Sequence, residues 1–168
     1  MPSGHRITSS SSTIRRSGTD SILAGPRASL AAGGLKIDTI NSHHSGVPEV
    51  AWLVQVDGLV IYHNGDCQPS DPVSEHAYLR TKAEAIDLAF VFPLYQESEA
   101  YGFQNLDLFR KFRVRAAFPM HVQAGDARYQ DFQKNFRSRF PDSPVQVPMR
   151  IGQRFVYEKG RITELDRP

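Results

Sequence analysis

The sequence predicts an α/β fold in which mixed β-sheets are flanked by helices on the outside. Two observations predict it. Region 35–64 contains three consecutive strand patterns, and region 74–140 then alternates helix-like and strand-like segments. Strands that come first, followed by alternating elements, are typical of helices packed outside sheets. A chain of 168 residues suits one core, so residues 1–168 are treated as a single domain.

The strand patterns are clearest in region 35–64. Segment 35–40 alternates apolar and polar residues, as a half-buried strand does. Segments 50–56 and 59–63 are predicted as the second and third strands. Asp57 and Gly58 between them predict a tight hairpin, because both residues of such a turn need a positive φ.

The remaining elements are read from capping residues, turn residues and apolar spacing. Segment 13–18 is predicted as a short helix that ends at Gly18, because glycine is a common helix terminator. Segment 86–92 is nearly continuous in apolar residues, which indicates a strand covered on both faces. The other predicted elements are a strand at 22–24, helices at 74–85, 104–112 and 126–140, a strand at 114–118, and a hairpin formed by 155–157 and 161–163 over residues 159–160.

Composition excludes several function classes. The net charge of +2 argues against a nucleic-acid partner, which usually requires a basic stripe. The densest basic group is interpreted as a solvated helix end, where the helix dipole favours cations; it consists of Arg110, Lys111, Arg113 and Arg115.

The single cysteine, Cys67, excludes an intramolecular disulfide and a multi-cysteine zinc site. A reducing, cytoplasmic setting is therefore the expectation. No apolar run approaches the roughly 20 residues of a membrane helix, and the first residues contain no apolar signal region. We expect no membrane partner.

Metal-type side chains follow three of the predicted strands. His43 and His44 come just beyond the first, Asp66 follows the third, and His121 follows the later buried strand. Imidazole nitrogen and carboxylate oxygen together suit zinc, manganese or iron. Taken singly, each position is more typical of an ordinary residue, because histidines beside strand ends are usually solvated and Gly-Asp is commonly a turn.

Three segments together resemble the metallo-β-lactamase-fold hydrolases, and most closely the branch with the ascorbate-phosphate lactonase-like enzymes. In segment 43–66 a histidine precedes a strand, a "dG" hairpin follows, and Gly65-Asp66 ends the next strand. Segment 86–93 is similar to the family's "iDlallP" strand, and segment 118–121 matches its final "P-x-H" element.

The resemblance implies an αββα sandwich and a metal-dependent hydrolase for a small-molecule lactone, ester or phosphoester. His44 would complete the first metal site, with His43 as the alternative, and Asp66 would be the bridging, catalytic carboxylate. His121 would belong to the second metal site, and His63 would be a supporting residue. The cofactor would be one or two zinc ions, with manganese or iron as alternatives.

The sequence departs from the family in one respect, since the upstream H-x-H-x-D-H motif is not present. The resemblance therefore implies a partial, truncated domain with an exposed sheet face, which a homo-oligomer could cover. A catalytically inactive binding or interaction module stays open as the alternative function. Tyr95, Tyr101 and Phe103 are read as a loop, either lining a substrate pocket or, as is more usual, simply packed.

Overall fold

The computed structural model describes residues 14–16, 22–44, 46–66, 71–158 and 160–165. These residues form twelve strands and three helices. The strands are β1 (Ile14–Arg16), β2 (Ile22–Ala24), β3 (Ser29–Ala32), β4 (Leu35–His44), β5 (Val47–Val56), β6 (Leu59–His63), β7 (Ala85–Ile86), β8 (Leu88–Val91), β9 (Arg113–Val114), β10 (Ala117–Pro119), β11 (Arg154–Glu158) and β12 (Arg161–Leu165). The helices are α1 (Pro72–Arg80), α2 (Ala100–Lys111) and α3 (Ala127–Arg139).

Six strands form the main sheet in the order β10-β8-β6-β5-β4-β3. Neighbours from β3 to β6 are antiparallel, whereas β6, β8 and β10 are parallel. Strands β4, β6, β8 and β10 consequently run in one direction, and their carboxyl ends meet at one edge of the sheet. The predicted mixed sheet with flanking helices is confirmed.

The turn between β5 and β6 has the predicted geometry, with φ values of 49° at Asp57 and 79° at Gly58. Two helices begin at side-chain caps. The Asp71 carboxylate accepts a hydrogen bond from the Ser74 amide at the start of α1, and the Asp126 carboxylate accepts one from the Arg128 amide at the start of α3. Such caps satisfy amides that have no partner within the helix. Each described helix is too short and too polar to cross a membrane.

One face of the main sheet carries the core. Successive strand side chains point to opposite faces, and Ile40, Leu53, Tyr62, Ala89 and Ala117 share the face that the helices cover. The helices contribute buried side chains to the same cluster, among them Leu79 from α1, Leu106 and Phe109 from α2, and Phe132 and Phe136 from α3.

The opposite face is covered less completely. A row of residues in register crosses four strands there, from Trp52 through His63 and Phe90 to Phe118. Trp52, Phe90 and Phe118 are half-buried and His63 is exposed. Phe155 of the β11–β12 hairpin continues the row, because its ring lies 5.6 Å from the Phe118 ring. The expected exposed face is thus a partly covered aromatic face.

Four sequence-based assignments need correction. The predicted helix at 13–18 is wrong where the structure describes it, since 14–16 is strand β1 paired with β2. Predicted strand 86–92 is split at Asp87, whose buried carboxylate accepts bonds from the Val60 amide, Arg115 and Tyr157. Predicted strand 114–118 is likewise divided into β9 and β10, and the helix predicted at 74–85 ends at Arg80.

Candidate metal centre

Three strand ends bring the side chains of His44, Asp66 and His121 together. His44 Nδ1 lies 3.1 Å from Asp66 Oδ2, and His121 Nε2 lies 3.1 Å from Asp66 Oδ1. The carboxylate therefore has one imidazole nitrogen at each oxygen. The three side chains are 45%, 30% and 47% exposed respectively, so the cluster is open to solvent.

The topology of the sheet explains this meeting point. His44 ends β4, Asp66 follows β6 by three residues, and His121 follows β10 by two. In the sheet order, β6 lies two places from β4 and two places from β10. With strands about 4.8 Å apart, Asp66 is central, and both histidines reach it across one intervening strand.

The adjacent histidine, His43, points to the other face of the sheet from His44, because successive strand side chains alternate. It pairs in register with Pro48 and is half-buried. The contact with Asp66 belongs to His44, the residue preferred from the sequence. Ser45 and Cys67 lie outside the described residues.

His121 has a backbone φ of 77°, a left-handed conformation that residues other than glycine rarely adopt. Such a residue costs of order 1–3 kcal/mol and persists where the surroundings hold it, often at functional sites. The Phe92 ring is one such neighbour, with its centroid 4.9 Å from that of the His121 imidazole.

The turn that presents Asp66 is held by His63. The Gly65 amide donates a 2.9 Å hydrogen bond to His63 Nδ1. Partial desolvation of the imidazole at the sheet surface lowers the pKa of His63 below its ordinary value, which favours the neutral ring that this bond requires. His63 thus bonds to the turn that carries Asp66, and the supporting role expected for it stays a prediction.

Helix α2 contributes the aromatic side chain of Tyr101, a residue predicted to lie in a loop. Tyr101 and Phe103 both lie in α2, so only Tyr95 of that group is in a loop. The Tyr101 hydroxyl donates to the main-chain oxygen of Asp66 at 3.1 Å. Its ring stacks on Phe92 at a centroid distance of 4.6 Å. Phe92 could have been identified from the sequence as a residue beside the site, because it ends the predicted strand 86–92.

The donors fit a metal ion in type but are too few. Two imidazoles and a carboxylate suit zinc. Two donors that share a tetrahedral ion at about 2.1 Å stand about 3.4 Å apart, slightly farther than the 3.1 Å that separates each histidine nitrogen from its Asp66 oxygen. However, each oxygen of Asp66 has a single histidine beside it, and the described residues contain no group of three or more His, Cys, Asp or Glu arranged to hold an ion.

A second histidine–aspartate group lies away from this edge. His76 of α1 and Asp107 of α2 are joined by a 2.7 Å contact from Nδ1 to Oδ2, and Lys111 lies 2.8 Å from both oxygens of Asp107. Burial lowers the pKa of His76, although its bond to Asp107 acts in the opposite direction. Nothing in the local sequence marks this pair, since 31 residues separate its members.

Comparison with known proteins gave structural similarity only. No protein-family model matches the chain, and no curated protein matches its sequence. A mutant of the CmlA β-hydroxylase is similar in structure with a TM-score of 0.52 and 8% identity, over 72% of this chain and 31% of that protein. This chain therefore spans about a third of that protein's length, and the likeness shows a shared fold.

Two further solved structures are named for the metallo-β-lactamase fold. One, from Thermotoga maritima, is assigned as a zinc-dependent hydrolase of that superfamily; it has 15% identity and a TM-score of 0.45, over 71% of this chain and 67% of its own length. The other is YhfI from Bacillus subtilis, with 12% identity and a TM-score of 0.46, over 83% of this chain and 53% of its own.

Proposed function

We propose that this chain is a metal-dependent hydrolase of the metallo-β-lactamase superfamily that acts on a small-molecule lactone, ester or phosphoester. The observation that carries the proposal is the Asp66 carboxylate, whose two oxygens each lie 3.1 Å from a histidine of a different strand end. Three separate strand ends converge on one partly exposed carboxylate.

In this proposal His44, Asp66 and His121 would hold zinc, or manganese or iron in its place. A metal ion held by these residues would lower the pKa of a bound water and polarise the bond to be hydrolysed. Asp66 keeps its carboxylate between the two imidazoles, and the Gly65–His63 bond keeps the turn in place. Because the three side chains are half-exposed, the centre is accessible to a small substrate.

The proposal is tested by hydrolysis assays on the purified chain, stripped of metal and then supplied with zinc or manganese. We expect turnover of at least one lactone, ester or phosphoester only when metal is present. A chelator and the variant Asp66→Asn should each abolish it. The matched control is Asp57→Asn, which changes a carboxylate in the β5–β6 turn, where asparagine also tolerates a positive φ.

Two outcomes would count against the proposal: no turnover of any substrate class with either metal, or turnover that survives the chelator and the Asp66→Asn substitution.

A binding or interaction module is the second candidate. The half-buried aromatic row on the sheet face, from Trp52 to Phe118, favours it, because apolar patches of this kind often mark interaction surfaces. The short donor count of the metal centre favours it too. Since Trp52 is the single tryptophan, a concentration-dependent blue shift of its fluorescence would support self-association through this face, and a constant spectrum would oppose it.

A further inference from the structure

The first two turns of helix α2 lie against the metal centre. Gly102 allows this approach, since a Cβ at that position would come within 2.1 Å of the Gln96 main-chain oxygen. Any larger residue would push the start of the helix away from the loop that carries Gln96. The packing of this one glycine therefore determines where the neighbouring Tyr101 side chain is placed.

A buried amide on the next turn fixes the strand end that carries Phe92. The Asn105 side-chain nitrogen donates to the main-chain oxygens of Phe92 and Leu94, at 2.7 and 2.8 Å. Asn105 is 1% exposed, so the two bonds lie where water competes little. The segment after β8 is consequently held against α2 at the level of the metal centre.

Tyr101 joins these parts to the centre in two ways. Its hydroxyl donates to the Asp66 main-chain oxygen at 3.1 Å, which ties α2 to the turn that presents the carboxylate. Its ring stacks on Phe92, and the Phe92 ring in turn lies beside the imidazole of His121. Tyr101 thus contacts the Asp66 main chain directly, and it reaches the His121 imidazole through one intervening ring, that of Phe92.

We propose that Tyr101 is a positioning residue of the centre, which sets the placement of Asp66 through its hydroxyl and that of His121 through Phe92. This inference rests on the proposed function for its link to metal affinity. Partners that orient metal-binding side chains typically change metal affinity by 10- to 100-fold when they are removed. The strained φ of His121 makes such support more necessary, because a strained residue relaxes when its surroundings loosen.

The test compares Tyr101→Phe with Tyr78→Phe in the full chain. Both substitutions remove a hydroxyl that donates to a main-chain oxygen. Tyr78 lies in α1, however, and its hydroxyl donates to the Arg27 oxygen, away from the centre. With zinc titrated against a chromophoric chelator, we expect affinity to fall about 10-fold in Tyr101→Phe and to stay unchanged in Tyr78→Phe. Thermal unfolding of both variants checks that loss of stability does not account for the difference.

A measurement on the metal-free protein separates this inference from the proposed function. In Tyr101→Phe the carbonyl carbon of Asp66 should change its NMR chemical shift, because that oxygen loses a hydrogen bond. In Phe92→Leu the imidazole signals of His121 should lose the ring-current shift from Phe92, whereas Phe140→Leu, a change within another aromatic group, should leave them in place.

The outcomes are distinguishable. If the wild-type chain binds no zinc but both shifts occur, the proposed function fails and the positioning role stands. If the chain binds zinc and Tyr101→Phe changes neither the affinity nor the Asp66 signal, the positioning role is overturned while the proposed function remains.

Discussion

Two histidine–aspartate groups in this protein have similar atoms in different surroundings. His76 and Asp107 meet at 2.7 Å between α1 and α2, where the His76 side chain is fully buried. His44, Asp66 and His121 meet at 3.1 Å at the open edge of the sheet, where each side chain is at least 30% exposed. The His76 ring is shut off from solvent, whereas the open group is accessible to it.

The comparison indicates that burial and neighbouring charges distinguish the two groups, since their side-chain types are the same. Lys111 partners the Asp107 carboxylate at 2.8 Å and occupies the position that a cation would take. In addition, His76 Nε2 is buried and has no hydrogen-bond partner among the described residues. We therefore interpret the buried pair as a link between two helices and the open group as the candidate for chemistry.

The largest expected difference is in stability. His76→Ala should lower the free energy of unfolding by roughly 2–5 kcal/mol, because removing the fully buried ring leaves a cavity and removes a buried hydrogen bond to Asp107. His44→Ala should change it by about 0.5 kcal/mol or less, as is usual for exposed positions. Urea denaturation of the metal-free proteins measures both. Equal losses in the two variants would contradict the comparison.

A smaller effect is expected from pH. Because burial lowers the pKa of His76 in the folded protein, the unfolded chain takes up a proton first as the pH falls. Stability from the neutral ring is therefore complete above the unfolded pKa of about 6.5, and is lost as the pH falls from there towards the lowered folded pKa.

The Asp107 carboxyl acts in the same direction at lower pH. Burial tends to raise its pKa, but the bonds and charges of His76 and Lys111 outweigh burial and lower it. Urea midpoints at pH 7.5 and pH 5.5 should consequently differ in the wild type. The difference should shrink in His76→Gln and persist in His43→Gln, a change at a half-buried position of β4. An unchanged pH dependence in His76→Gln would show that His76 does not produce it.

Much of the fold near the candidate metal centre follows from local patterns. The bounds of β6 and the positive φ values of the Asp57-Gly58 turn agree with the prediction, because alternation and turn chemistry are local properties. Local patterns also place His44, Asp66 and His121 just after predicted strands, but their convergence depends on the order and direction of the strands in the sheet. Their role as metal ligands stays a prediction.

Other features depend on contacts between distant segments. Segment 14–16 is extended because it pairs with β2, and a helix that short is not stable by itself. Asp87 interrupts a run of apolar residues because its carboxylate bonds to Val60, Arg115 and Tyr157, which lie up to 70 residues away. The place of Tyr101 at the centre likewise depends on how α2 docks through Gly102, which no local pattern indicates.

The central claim is that the open group binds a metal ion and the buried pair does not. Its most direct test is the metal content of the purified chain by elemental analysis, measured for the wild type, His121→Ala and Asp107→Asn. We expect near-stoichiometric zinc, manganese or iron in the wild type and in Asp107→Asn, and none in His121→Ala. A wild-type chain free of metal, or an equal metal content in His121→Ala, would contradict the account.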